Sequence, residues 1–257
     1  MNAYFAEFLG TLVLVLLGNG VVANVLLAKT KGHNAGWIVI TAGWAIAVFV
    51  GASISAKASG AHLNPAVTLA ILVGEADTAN AITISTALVY IAMQFAGAIA
   101  GGALVYWFYR PHFEATQNAS DKLACFCTAP NLRGSAQTFF CEAIGTFVLI
   151  LPILVMQKPL LENVAAATGS TKPPAIGIGA VGILPVALIV FGIGLSLGGT
   201  TGYAINPARD LGPRIAHALL PITGKRDSDW GYAWVPVLGP FAGALAAAML
   251  YRLFLPS

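Results

Sequence analysis

Charge is what this chain has least of. Only 9% of its 257 residues are Asp, Glu, Lys or Arg, against about 25% in soluble domains. A soluble globule could not solvate its surface with so few charges, and the 58% hydrophobic content makes a lipid bilayer the fitting solvent. The net charge of +3 is small and comes without a basic cluster, so no nucleic-acid partner is expected. Cysteine is scarce as well. Cys125 and Cys127 sit too close together for a comfortable bridge and Cys141 lies in an apolar run, so the three read as small apolar filler plus a loop thiol. No His or carboxylate stands at ligand spacing, so neither metal nor cofactor is expected, and no nucleophile–base pair suggests an enzyme. The first apolar run lacks a basic flank before it, which favours a retained span over a cleaved signal peptide.

Long apolar runs are present instead. Full spans are expected at residues 4–28, 36–56, 81–109, 134–156, 176–198 and 231–255. The stretch 110–133 reads as the longest polar connection, and 157–175 as a Pro, Gly and Lys loop. Glu75 and Asp77 read as a solvated turn.

Two shorter stretches stand out: Ser59-Gly60-Ala61-His62-Leu63-Asn64-Pro65-Ala66-Val67 and Thr201-Gly202-Tyr203-Ala204-Ile205-Asn206-Pro207-Ala208-Arg209. In each, an extended lead-in with a glycine runs into Asn-Pro-Ala. Asn is a good N-cap, and Pro suits the first helical position, where its missing N–H has no intrahelical partner to lose. Each stretch therefore predicts a helix start, with helices from Pro65 to near Val73 and from Pro207 to near Leu220. At about 1.5 Å per residue, eight to ten residues cover roughly half of a ~30 Å hydrocarbon core.

The halves also repeat. Ala6-Glu7-Phe8-Leu9-Gly10-Thr11 answers Cys141-Glu142-Ala143-Ile144-Gly145-Thr146, the two Asn-Pro-Ala boxes answer each other, and Phe95-Ala96-Gly97-Ala98 answers Phe241-Ala242-Gly243-Ala244. A single channel domain, 1–257, is expected, with inverted repeats at about 1–109 and 134–257 joined by 110–133. Three full spans per repeat is an odd number, so the second copy is inverted in the membrane and the half-helices point at each other.

Irregular backbone at membrane depth is tolerated where it lines a wet cavity. The carbonyls of Gly60, Ala61 and His62, and of Gly202, Tyr203 and Ala204, are expected to face a lumen as acceptors. Asn64 and Asn206 add side-chain donors at the midplane, and each half-helix start brings about half a positive charge that repels cations. Arg209 adds a fixed charge and several donors toward one mouth. Glu7 and Glu142, at equivalent positions, are expected to hold the lead-ins by accepting backbone N–H bonds. The competing role for them is a proton or sodium site. His62 is read as a carbonyl and packing residue rather than a proton relay.

These paired motifs resemble the aquaporin superfamily, and most closely its glycerol-facilitator, or aquaglyceroporin, branch. The resemblance covers nearly the whole chain. It implies an all-α membrane protein of six transmembrane helices plus two half-helices, a homotetramer with one pore per subunit, passive flux, and a cytoplasmic N-terminus in a multi-pass cell-membrane protein. Charge counting runs the other way. With the N-terminus inside, only Lys57, Lys158, Lys172 and Arg252 are inside, while Lys29, Lys31, Arg110, Lys122, Arg133, Arg209, Arg214, Lys225 and Arg226 are outside. The resemblance further implies a narrow ring at Trp44, Gly194, Tyr203 and Arg209. Trp with Gly is similar to the glycerol-conducting type, Gly194 leaving room and Trp44 with Tyr203 forming a greasy corner. Asp210, Arg214 and Pro236 also resemble that branch, whereas Tyr203 stands where familiar glycerol facilitators have Phe. The function expected is a passive channel for glycerol and small neutral solutes that also conducts water. The alternatives are a water-selective channel or an ion-coupled secondary transporter.

Overall fold

The computed structural model describes residues 1–78, 80–156 and 178–254, all of them helical or irregular with no strand among them. Among the described residues nine α-helices follow in order: α1 (Ala3–Leu26), α2 (Trp37–Ser59), α3 (Pro65–Gly74), α4 (Ile84–Ala115), α5 (Ala119–Ala124), α6 (Ser135–Val155), α7 (Leu184–Ser196), α8 (Pro207–Leu219) and α9 (Val235–Phe254). A 3-10 turn, Gly179–Ile183, leads into α7. Six helical stretches among the described residues are long and apolar enough to cross a bilayer: α1, α2, α4, α6, the turn with α7, and α9. The two short helices beginning at Pro65 and Pro207 are α3, of 10 residues, and α8, of 13 residues.

The repeat is visible in how the helices touch. A Cβ built on Gly97 of α4 would lie 2.3 Å from the Phe8 carbonyl oxygen of α1. One built on Gly243 of α9 would lie 2.0 Å from the Ala143 carbonyl oxygen of α6. These are equivalent positions, and at both the helix pair closes until backbone meets backbone, which only small residues allow. The half-helices are exchanged between halves: α3 packs on α9, and α8 packs on α4. Each half thus covers the other's short helix, and neither completes its core alone.

The sequence expectations need correcting in the connections. Residues 110–133 are not one polar loop, because α4 continues through Pro111 to Ala115 and α5 follows. The stretch then dips into the core, where Leu123, Cys125, Phe126 and Cys127 are buried. Its polar groups are satisfied by distant backbone: His112 Nδ1 lies 3.0 Å from the Ala28 carbonyl oxygen, and Thr116 Oγ1 accepts from the Ala28 N–H at 2.9 Å. Burial pushes the Cys125 thiol well above its ordinary range, so it is packing and not a reactive loop thiol. Glu75 is not solvated either. It is buried and accepts from Thr78 Oγ1 and Asn80 Nδ2, whereas exposed Asp77 pairs with Arg252 at 2.6 Å. The Pro, Gly and Lys loop, with Lys158 and Lys172, lies outside the described residues.

Candidate functional site

The two lead-ins are built alike. Ala61 (φ 55°) and Leu63 (φ 51°) answer Tyr203 (φ 38°) and Ile205 (φ 43°), each pair following a left-handed glycine, Gly60 or Gly202. Non-glycine residues in this region cost ~1–3 kcal/mol each, most for a β-branched residue such as Ile205, so the surroundings must impose it. Alternating handedness turns N–H groups to one side of the strand and carbonyls to the other. The N–H side is held by carboxylates. His62 N–H and Leu63 N–H donate to Glu7 Oε1 and Oε2 at 3.0 and 2.7 Å. Ala204 N–H and Ile205 N–H donate to Glu142 Oε1 and Oε2 at 3.0 and 2.8 Å. Both carboxylates are fully buried.

Glu7 takes two further donors, Ser59 Oγ and Gln94 Nε2. Gln94 also donates to Thr68 Oγ1 at 3.0 Å, and Thr68 Oγ1 meets His62 Nδ1 at 3.2 Å. Gln94 was missed in the sequence. Its signal was there, as a lone amide in an apolar span, which is expensive unless it has a partner.

At the centre the asparagines do more than cap. Asn64 Oδ1 accepts from Ala66 N–H at 2.9 Å, and Asn206 Oδ1 accepts from Ala208 and Arg209 N–H at 3.0 and 3.2 Å. Their amide groups cross over: Asn64 Nδ2 donates to the Ile205 carbonyl at 2.8 Å, and Asn206 Nδ2 to the Leu63 carbonyl at 2.9 Å. This reciprocal pair ties the two lead-ins together where the half-helix N-termini meet. One N–H of each amide is committed there, which leaves one each for a passing solute.

One cavity opens from this centre, a second lies beside the other lead-in, and the two share no wall residue. The first, of about 590 Å³, is walled by Gly60, Ala61, His62, Leu63, Asn64 and Asn206 on its polar side and by aliphatic residues such as Val48, Val67, Leu149 and Val190 on the other. Glu75 and Asn80 stand at its mouth. The second, of about 400 Å³, is lined by Trp44, Gly202, Tyr203 and Arg209, with Asp121, Arg133 and Arg226 farther out. In its wall the Arg209 guanidinium carbon lies 4.0 Å over the Trp44 ring, a cation–π contact, and Arg209 Nη2 reaches the Gly202 carbonyl only at 3.5 Å. Most Arg209 donors therefore remain free for a ligand.

Of the residues expected to line the pore through their carbonyls or at its ring, Ala204 and Gly194 line neither cavity. Ala204 is buried behind the strand. The space left by Gly194 does not belong to the solute, because the Tyr203 ring fills it: a Cβ there would meet Tyr203 Cζ at 2.9 Å and Thr41 Cγ2 at 2.8 Å. Gly194 also accepts through its carbonyl from Trp37 Nε1 at 2.9 Å, and Trp37 stands edge-on to Tyr203. Gly194 thus shapes the ring through Tyr203. Next to Arg209, Asp210 accepts from Thr128 N–H and Oγ1, both at 2.7 Å, and from Arg214 at 2.8 and 3.0 Å. Both charges of this pair are fully buried, and Arg214 also donates to the Thr128, Ser228 and Asp229 carbonyls. The network pins the wall of the second cavity to α8.

The family model described as Major intrinsic protein matches residues 1–251. The chain belongs to the major intrinsic protein family. Within it, the chain is 48% identical over 254 residues to the glycerol uptake facilitator protein of Streptococcus pneumoniae (strain ATCC BAA-255 / R6), covering 99% of this chain and 100% of that one. It is 47% identical to a probable glycerol uptake facilitator protein of Thermotoga maritima, covering 98% of this chain and 99% of that one. The X-ray structure of the aquaglyceroporin from Plasmodium falciparum superposes with a TM-score of 0.78 at 33% identity, covering 98% of this chain and 95% of that one. Family and helix pattern together make this a multi-pass membrane protein built for transport, not an enzyme.

Proposed function

We propose that this chain is a passive channel for glycerol that also conducts water and other small neutral solutes. The observation that carries the reading is the two-sided wall of the pore. A line of backbone carbonyls and asparagine donors faces aliphatic side chains, and at the ring Arg209 donors face Trp44 and Tyr203. A polyol presents hydroxyls along one side and carbon along the other, so it exchanges hydrogen bonds on one wall and packs on the other. The opposed helix starts and Arg209 place positive charge on the path and repel cations. The relatives named as glycerol uptake facilitators support the same substrate.

In this reading Trp44, Tyr203 and Arg209 form the selective ring with Gly194 behind Tyr203. Asn64, Pro65, Ala66 and Asn206, Pro207, Ala208 form the centre, and Glu7 and Glu142 hold the carbonyl strands. The repeats, about 1–109 and 134–257, form one domain. The protein sits in the cell membrane as a homotetramer with its N-terminus in the cytoplasm. Stopped-flow light scattering on reconstituted vesicles tests the substrate: glycerol entry is expected to outpace that of empty vesicles. Entry no faster than in empty vesicles refutes it.

A further inference from the structure

We propose that Gly18 of α1 is a specificity-positioning residue of the pore: its missing side chain seats the Trp44 indole and so sets how far the stacked Trp44–Arg209 pair reaches into the second cavity. This rests on the channel reading above. Gly18 is buried and lies on neither cavity wall. A Cβ built on it would come 2.2, 2.4 and 2.5 Å from Cζ3, Cε3 and Cη2 of Trp44. The benzo ring of Trp44 therefore occupies the place of the absent side chain, and the Arg209 guanidinium lies 4.0 Å from the ring centre.

Trp44 is only 3% exposed, so it is enclosed between α1 and Arg209 and has little room to yield sideways. Carbon contacts settle at about 3.5–4.0 Å, so a single methyl at position 18 must displace the indole by roughly 1 Å. Packed interiors transmit such shifts, and Arg209 is stacked on the ring that must move. Glycine in a helix interior is otherwise unfavourable. A comparison inside the same helix isolates the effect: a Cβ on Gly20, two residues on, meets nothing within 4 Å.

The test is glycerol and water permeability of Gly18→Ala, Gly20→Ala, Trp44→Phe and the Gly18→Ala/Trp44→Phe double variant, in vesicles normalised for incorporated folded protein. Gly18→Ala is expected to lose glycerol flux about tenfold and water flux less than about threefold, because the larger solute feels the narrowed ring first. Gly20→Ala is expected to keep both. The double variant is expected to return to the glycerol-to-water ratio of Trp44→Phe alone, since the smaller ring clears the methyl. Proportional loss of both fluxes in Gly18→Ala, or no rescue by Trp44→Phe, overturns the inference. If Gly18→Ala alone does not fold, the double variant decides: folding with the Trp44→Phe ratio supports the seat, and failure to fold overturns it. Wild-type glycerol flux no greater than that of empty vesicles defeats the channel reading instead.

Discussion

At Glu7 and Glu142 the two halves of the molecule hold their lead-ins with the same pair of bonds, at nearly the same lengths, onto equivalent N–H groups. The likeness does not extend to every neighbouring side chain. Where the first half has Ala61, the second has Tyr203; where the first has Val67, the second has Arg209; where Gln94 braces Glu7, the second half has Pro240 at the matching position. The repeat thus duplicates the support of the carbonyl strands and places the selective side chains in one copy. The difference also bears on the carboxylates. A proton or sodium site needs an acceptor with capacity to spare, whereas Glu7 already takes four donors and Glu142 holds both N–H groups of its strand. Their bonding is that of scaffold.

Breaking the shared part is expected to have the largest effect. Glu7→Ala or Glu142→Ala strands buried N–H groups, each costing about 1–3 kcal/mol. Detergent-solubilised protein of either variant is expected to lose its monodisperse elution, with Glu7→Ala the worse because four donors lose their acceptor. Equal, mild losses would mean that the two supports are not the frame of the pore. Next comes the unshared part. Arg209→Val gives the second half the residue type of the first at Val67. Removing a unit charge from the path at an effective dielectric near 20 lowers the barrier to a cation by ~4 kcal/mol at an approach of about 4 Å, and water in the pore screens that further. Methylammonium entry into vesicles is expected to rise about tenfold. No rise would place the whole cation barrier at the asparagines.

Gln94→Leu sharpens the comparison from the first half. It removes one of the donors to Glu7 and leaves Thr68 Oγ1 without its amide, so the expected loss is about 1–2 kcal/mol, read as a lower melting temperature with the glycerol-to-water ratio kept. A changed ratio would show that the support of the first half also selects. The smallest effect is at Tyr203. Its hydroxyl is buried without a partner among the described residues, so Tyr203→Phe is expected to be neutral or to raise stability by up to about 1 kcal/mol in thermal unfolding. Destabilisation would reveal a partner for that hydroxyl.

Much of this plan is legible in the sequence, and most of the exceptions share a cause. Asn-Pro-Ala announces its helix start because cap, proline and helix are neighbours in the chain, and the paired Glu residues announce their role because the repeat presents each twice. The fate of 110–133 is hidden because its polar groups find partners far away in sequence: Thr116 with Ala28, and Lys122 with the Thr223 carbonyl. The same holds for the basic residues that upset the charge count. Arg214 is spent on Asp210, Arg133 on Asp229, and Lys225 on three carbonyls at the end of α8, so these cations serve the structure of that face more than its orientation. Gly194 is misread for a further reason. A glycine in sequence signals space, and only packing tells which neighbour, here Tyr203, takes it.

The central claim is that both buried carboxylates are frame and that solute moves passively past them. The most direct measurement is the distribution of labelled glycerol across reconstituted vesicles under imposed proton and sodium gradients. The account predicts equal concentrations inside and out under every gradient, with initial rates linear in glycerol. Accumulation against its gradient, driven by either ion, would contradict it and return Glu7 and Glu142 to the role of coupling sites.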